Sequence, residues 1–265
     1  MMLIKRILSA LLLIAVVWAT IFLDWFFNIM VIFFIITGLY EFFTMLEKKS
    51  IHAYKYFGIV MGTIIPLSII FNFELTKKWE LFFIILTLLF LIIMLFKRRD
   101  HSGVVVDIST TVFGILYISW FFSFLIKIRN FQDGIALFAT LLVVTKLGDV
   151  GAYLIGSRFG RTPLVPRISP KKSLEGALGG LFFSVLGALS CRTLLNLGYL
   201  HLVIFGLILG FLGQLGDLAE SLIKRDCRIK DSGGIIPGMG GVLDVMDSLL
   251  FTAPVFYFYI NIVGR

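Results

Sequence analysis

The run from Ile7 to Leu23, seventeen positions without a charge, limits this chain most, because runs like it recur almost to the C-terminus. A helix needs about 20 apolar residues to cross the hydrocarbon core of a bilayer. Nine segments answer to that pattern: Ile7–Leu23, Trp25–Leu46, Tyr54–Phe73, Trp79–Phe96, Val104–Ile126, Gly134–Gly156, Leu174–Leu195, Leu202–Arg225 and Asp244–Val263. The first two meet so tightly around Asp24 that they form a helical hairpin. A soluble domain carries roughly 45–50% apolar and about 25% charged residues. Here 59% are hydrophobic, 15% are charged, and 28 are Phe. That leaves too few polar side chains for a water-facing surface, which excludes soluble, disordered, collagen-like and coiled-coil architectures. The expected fold class is all-α: a polytopic integral membrane protein of about nine transmembrane helices.

Charge placement tests the count independently. With nine spans, the N-terminus and the loops after spans two, four, six and eight share one side. That side receives seventeen of the 24 Lys and Arg, the other side receives six, and Lys146 lies within a span. Cytoplasmic loops of membrane proteins carry the excess of Lys and Arg, so the N-terminus is expected inside and the C-terminus outside, in a bacterial cytoplasmic membrane. The net charge of +8 is read as a basic face toward anionic lipid or an anionic substrate, not toward nucleic acid. Lys5 and Arg6 precede an apolar run longer than a signal peptide's, with no small-residue cleavage site, so the first helix is expected to be retained. Cys191 in an apolar run and Cys227 in a charged loop form neither a disulfide pattern nor a zinc spacing.

Composition divides the chain. Residues 1–133, holding spans one to five, are rich in Phe, Ile and Leu and read as a scaffold. Residues 134–265, holding spans six to nine, carry most of the glycines and read as the catalytic part, with cytoplasmic loops at 157–173 and 226–243. No internal repeat stands out.

Ionisable residues inside a membrane are functional candidates. Lys146 and Asp149 lie in span six, Asp217 and Glu220 in span eight, and Asp244 and Asp247 at the start of span nine. The topology puts all five acids toward the cytoplasmic end. Asp217/Glu220 and Asp244/Asp247 are i,i+3 pairs, so each pair shares a helix face. Two such faces turned together repel unless a cation joins them, and hard carboxylates completed by substrate phosphates suit Mg²⁺, with room for a second cation. The bland alternative pairs these acids with Lys146, Lys224 or Lys230. Gly206, Gly210, Gly213 and Gly216 in span eight, and Gly176, Gly179 and Gly180 in span seven, would let the helices approach closely. The loop from Gly156 to Ser173 carries five cations, with Lys171 and Lys172 before a helix N-terminus of the kind that attracts phosphate. The loop from Lys224 to Gly241 is basic and then glycine-rich, and matches neither a P-loop nor a dinucleotide fingerprint.

Four blocks in this order resemble the phosphatidate cytidylyltransferase, or CDP-diacylglycerol synthase, family. They are Asp149-Val-Gly-Ala-Tyr153, Ser169-Pro-Lys-Lys-Ser-Leu-Glu-Gly176, Gly216-Asp217-Leu-Ala-Glu220, and the stretch from Ser221 through Lys224-Arg225 and Lys230-Asp231 to Asp244-Val-Met-Asp247. Two positions depart from the family pattern: Met239 stands where a His is usual and Val245 where an Arg is usual. No imidazole role carries over to Met239, and phosphate stabilisation from the last helix falls to Arg225, Arg228 or Lys230. The resemblance implies that CTP and phosphatidic acid give CDP-diacylglycerol and pyrophosphate with Mg²⁺. It implies Asp217, Asp244, Asp247 and Lys224 as catalytic residues, with Glu220 joining the three Asp around the metal. Ser169, Lys171, Lys172, Ser173, Ser221, Arg225, Lys230, Asp231, Asp149 and Tyr153 are the implied substrate contacts. A homodimer is compatible with this reading. Both substrates are polyanions, and attack on the α-phosphorus needs positioning and charge neutralisation rather than a protein nucleophile. His52, His101 and His201 are given no role.

Other classes make different demands. A polyprenol-type kinase using a CTP-like donor shares a similar C-terminal half and is separated by its acceptor lipid. An ion-coupled transporter would place acids accessible to both sides, usually in a repeated half. A CDP-alcohol phosphotransferase would carry a denser Asp motif with a Gly-Ala-Arg element. A purely structural membrane protein would have no need of these acids.

Overall fold

The computed structural model of the chain describes residues 9, 15–20, 23–71, 79–95, 103–195 and 197–263. In order, these form α1 (Asp24–Lys48), α2 (Lys55–Ile70), α3 (Trp79–Leu95), α4 (Val104–Arg129), α5 (Gly134–Phe159), β1 (Pro163–Val165), β2 (Ser169–Ser173), α6 (Leu174–Ser190), α7 (Arg192–Leu195), α8 (Tyr199–Asp226) and α9 (Val242–Val263). Among the described residues five helices, α1, α4, α5, α8 and α9, are long and apolar enough to cross a membrane. Lys55–Ile70, Phe82–Ile93 and Leu174–Ser190 are apolar but shorter. The span expected over Ile7–Leu23 falls largely outside the described residues. This is a helical integral membrane protein.

Two local expectations change. The segment 157–173 is not a plain loop: α5 runs on to Phe159, and β1 then pairs antiparallel with β2, with Pro163 opposite Ser173 and Val165 opposite Ser169. Pro166, which has no N–H to offer a ladder, follows the first strand directly. The span expected over Leu174–Leu195 is also interrupted. The helix ends at Ser190 and a short one follows after the turn residue Cys191, whose N–H bonds back to the carbonyls of Gly187 and Ala188, each at 3.2 Å.

The chain divides into two compact units. The first comprises the described parts of Met1–Ile126 together with Cys227–Leu243. Its core is aromatic and aliphatic, with Phe42, Phe43, Leu39, Ile65 and Ile118 all buried. Close helix approach depends on missing side chains: a Cβ at Gly58 would meet the Phe43 ring, and one at Gly114 the Phe42 ring. At Ile115–Trp120, α4 widens into a π-helical stretch, within which Ser119 donates its hydroxyl to the Gly62 carbonyl. Asp107, buried in α4, accepts the His52 N–H at 3.1 Å and so fastens the turn before α2.

The second unit comprises Lys127–Asp226 and Asp244–Arg265. It is built on a glycine seam. A Cβ at Gly151 would strike Phe183, one at Gly179 would strike Ile155, and one at Gly206 would sit 2.6 Å from the Cα of Val185. Without side chains at these points α5, α6 and α8 pack closely, α6 and α8 backbone to backbone at Gly206, as small residues permit in membranes. At Gly216 the same device brings α8 against the α9 backbone at Asp247.

Candidate active site

The second unit gathers most of the ionisable residues that the sequence singles out. Gly216 removes the side chain that would hold α8 away from α9, so the next residue, Asp217, lies on the stretch where the two helices touch. The i,i+3 and i,i+4 spacing of α8 then stacks Asp217, Glu220, Ser221 and Lys224 along one side. Lys224 bridges the two acidic helices, with its Nζ 2.8 Å from Glu220 Oε2 and bonded closely to Asp244 Oδ1. All three are shielded: Glu220 is 1% exposed, and the side chains of Lys224 and Asp244 are 10% and 11% exposed.

The hairpin supplies the next cation. Lys172 on β2 places its Nζ 2.7 Å from Asp217 Oδ2. Ser221, one turn further along α8, points its hydroxyl at Asp217 Oδ1, 3.4 Å away. Arg225 donates from Nε to the Ile168 carbonyl at 3.3 Å, tying the hairpin turn to the end of α8. Glu175, in the first turn of α6, accepts the N–H groups of Arg161 and Thr162 at 3.0 and 3.1 Å. Ser173 caps α6, its hydroxyl accepting the Gly176 N–H at 3.1 Å.

A second polar group lies along α5 and α9. Lys146 Nζ is 2.9 Å from Asp149 Oδ2 and donates to Ser248 Oγ at 3.1 Å. Ser248 in turn donates to Asp149 Oδ2 at 3.3 Å. Asp247 is 8% exposed and accepts the Ser248 N–H at 2.6 Å through Oδ1.

Asp149, Asp217, Glu220, Asp244 and Asp247 thus share one unit with Lys172, Ser221, Lys224 and Arg225. Tyr153 points outward and is 74% exposed, and Lys171 is exposed while its neighbour Lys172 turns in. Ser169 opens β2. Lys230 and Asp231 are exposed residues of the first unit. Met239 is exposed on the glycine-rich loop, and the Val245 carbonyl lies 3.4 Å from Lys146 Nζ.

Carboxylate oxygens are the donors a hard divalent cation takes, and Glu220 Oε1 is buried with no hydrogen-bond partner among the described residues. The donor chemistry fits such an ion. Among the described residues, however, no three His, Cys, Asp or Glu side chains converge on one point. Asp217, Glu220, Asp244 and Asp149 are each held by a lysine instead. Sequence reasoning named Lys146 as one possible partner of an acid, the place it takes beside Asp149, and passed over Ser248. It also passed over Glu41 of α1, which a search for single acids within apolar spans would have found.

The chain matches the model of the cytidylyltransferase family over residues 4–263. It is 32% identical over 286 residues to a phosphatidate cytidylyltransferase of Synechocystis, covering 97% of this chain and 96% of that one. It is 39% identical over 155 residues to a phosphatidate cytidylyltransferase of Bacillus subtilis, covering 57% and 58%. It is also 39% identical over 170 residues to the uncharacterized Escherichia coli protein YnbB, covering 61% and 56%. The chain thus spans little more than half the length of the last two and nearly all of the first.

Proposed function

The chain belongs to the cytidylyltransferase family of enzymes, and from that premise we propose that it transfers the cytidylyl group of CTP to phosphatidic acid in phospholipid biosynthesis. A phosphatidate oxygen attacks the α-phosphorus of CTP, and the bond to the β-phosphate oxygen breaks. The products are CDP-diacylglycerol and pyrophosphate. The observation that carries this reading is Lys172 of the hairpin paired with Asp217 on the same helix as Lys224 and Glu220. Cations from a polar loop and from an apolar helix meet acids in one unit, which suits one substrate in water and another in the bilayer.

Attack on phosphorus asks the protein for charge neutralisation and alignment. Lys172 and Lys224, with Lys171 and Arg225 at the exposed rim, take the phosphates, giving up their carboxylates as they do so. Ser169, Ser173, Ser221, Asp149, Tyr153, Lys230 and Asp231 complete the substrate contacts. Asp217, Asp244 and Asp247, with Glu220, are the residues that would hold Mg²⁺ and a second cation, which would supply neutralisation of the α-phosphate and the departing pyrophosphate. The charge split between loops supports a site on the cytoplasmic side, with the N-terminus inside and the C-terminus outside. A homodimer would not alter this chemistry.

Purified protein should move label from CTP to phosphatidate in the presence of Mg²⁺ and stop when the metal is chelated. Asp217→Asn keeps the shape, removes the charge, and should lower turnover by about two orders of magnitude or more. Transfer to a polyprenol in place of phosphatidate would favour the kinase reading. Full transfer under chelation would remove the metal from the site.

A further inference from the structure

Glu41 of α1 takes no part in the chemistry above, yet it is 3% exposed in an apolar helix. Its carboxylate faces the segment Cys227–Leu243, which belongs to the same unit. Oε1 accepts the Val242 N–H at 3.0 Å. Oε2 accepts the Leu243 N–H at 3.0 Å and the Ser232 hydroxyl at 3.1 Å. The two amides open α9, where backbone N–H groups have no partner within the helix. An acid at that end also meets the positive end of the helix dipole. Two glycines close over the same group, since a side chain at Gly233 or Gly241 would run into Glu41. The glycine-rich loop from Ser232 to Gly241 therefore begins and finishes on one carboxylate.

We propose that Glu41 is a positioning residue of the transferase: it closes the Ser232–Gly241 loop into a ring of fixed shape. One foot of that ring follows Lys230 and Asp231 directly. The other is the first turn of α9, where Asp244 comes next after Leu243. The proposal rests on the transferase reading, which gives those three residues their work. It also gives Gly233 and Gly241 a reason, since their missing side chains leave the space that the carboxylate fills.

A residue that only filled space could be exchanged for its amide without consequence. Glu41 accepts three hydrogen bonds, whereas Gln has one acceptor oxygen and must turn an NH₂ donor toward another donor. The test uses the full chain in lipid nanodiscs as wild type, Glu41→Gln, Glu41→Ala and Ser232→Ala. Hydrogen exchange is read on peptides covering 230–245, with an α5 peptide as reference, and kcat and KM are measured for CTP and phosphatidate. In Glu41→Gln, exchange across 230–245 should quicken about tenfold while α5 stays unchanged. Its kcat should fall about 10- to 100-fold, as misplacement of reacting groups predicts. Ser232→Ala should show both effects more weakly, and it decides the matter with Glu41→Gln if Glu41→Ala does not fold. Unchanged exchange in Glu41→Gln overturns the proposal. So does faster exchange everywhere with unaltered kcat per folded molecule, which is the mark of a purely structural residue. If the wild type itself transfers nothing to phosphatidate, the transferase reading falls, and the exchange result separately decides whether Glu41 anchors the loop.

Discussion

Two lysines in the second unit hold acids in different surroundings, and the difference sets what each contributes. Lys172 and Asp217 have side chains 27% and 39% exposed, so water competes for the carboxylate, although the Lys172 Nζ itself is covered. A pair in that position contributes at most about 1 kcal/mol to stability. Lys224 sits between Glu220 and Asp244 with little water, and its removal leaves two acids facing each other without a cation. Breaking a buried pair costs about 3–5 kcal/mol. Lys172→Ala should therefore leave thermal unfolding nearly unchanged and raise KM for CTP. Lys224→Met should lower the melting temperature clearly, and adding Glu220→Gln to it should recover part of the loss. Unfolding curves in detergent beside steady-state kinetics check the contrast; equal destabilisation by the two single changes would contradict it.

At the scale of elements, the helices follow from side chains that are absent. Gly206 faces the Val185 backbone, which cannot retreat as a flexible side chain would. Gly206→Leu should force α6 and α8 apart at a cost of about 1–3 kcal/mol or more. Gly198, with open space where its Cβ would stand, should accept Ala without effect. Melting temperatures of the two variants measure the difference. The glycine spacing of α6 and α8 was legible in the sequence because small residues three and four apart have one plain use between membrane helices. The i,i+3 acids were legible for the same periodic reason. The β1–β2 hairpin was not, since strands of three and five residues leave no measurable alternation and contain Pro163 and Pro170. The break at Cys191 was hidden too, because Cys-Arg-Thr-Leu-Leu reads as a continuing helix. Nor could spacing tell that Lys172 turns inward while Lys171 stays outside, for neighbours on a strand differ only by which face is covered.

For the molecule as a whole, the number of crossings decides which loops can meet CTP. Among the described residues five helices have the length and apolarity to span, and three shorter apolar ones accompany them. Nine spans place Lys171 and Lys78 on opposite sides of the membrane. Cysteines introduced at these positions should react with an impermeant thiol reagent from the cytoplasm and from outside respectively. Both native cysteines are buried. Labelling of the two positions from the same side would show that a crossing has been gained or lost.

The acids of α5, α8 and α9 and the three lysines that pair with them also show a charge imbalance. Five carboxyl side chains, Asp149, Asp217, Glu220, Asp244 and Asp247, share these helices with three lysine partners, Lys146, Lys172 and Lys224. With every carboxyl ionised, two negative charges remain among these eight side chains, the complement of one divalent ion or two monovalent ones. Bulk salt screens exposed charges over about 10 Å at 0.1 M but hardly reaches shielded ones. Raising ionic strength should therefore weaken the first encounter of CTP with the exposed Lys171 and Arg225 far more than it weakens the hold of Glu220 and Asp244 on Lys224. The enzyme would then slow in high salt by losing substrate capture, with its inner charges still in balance.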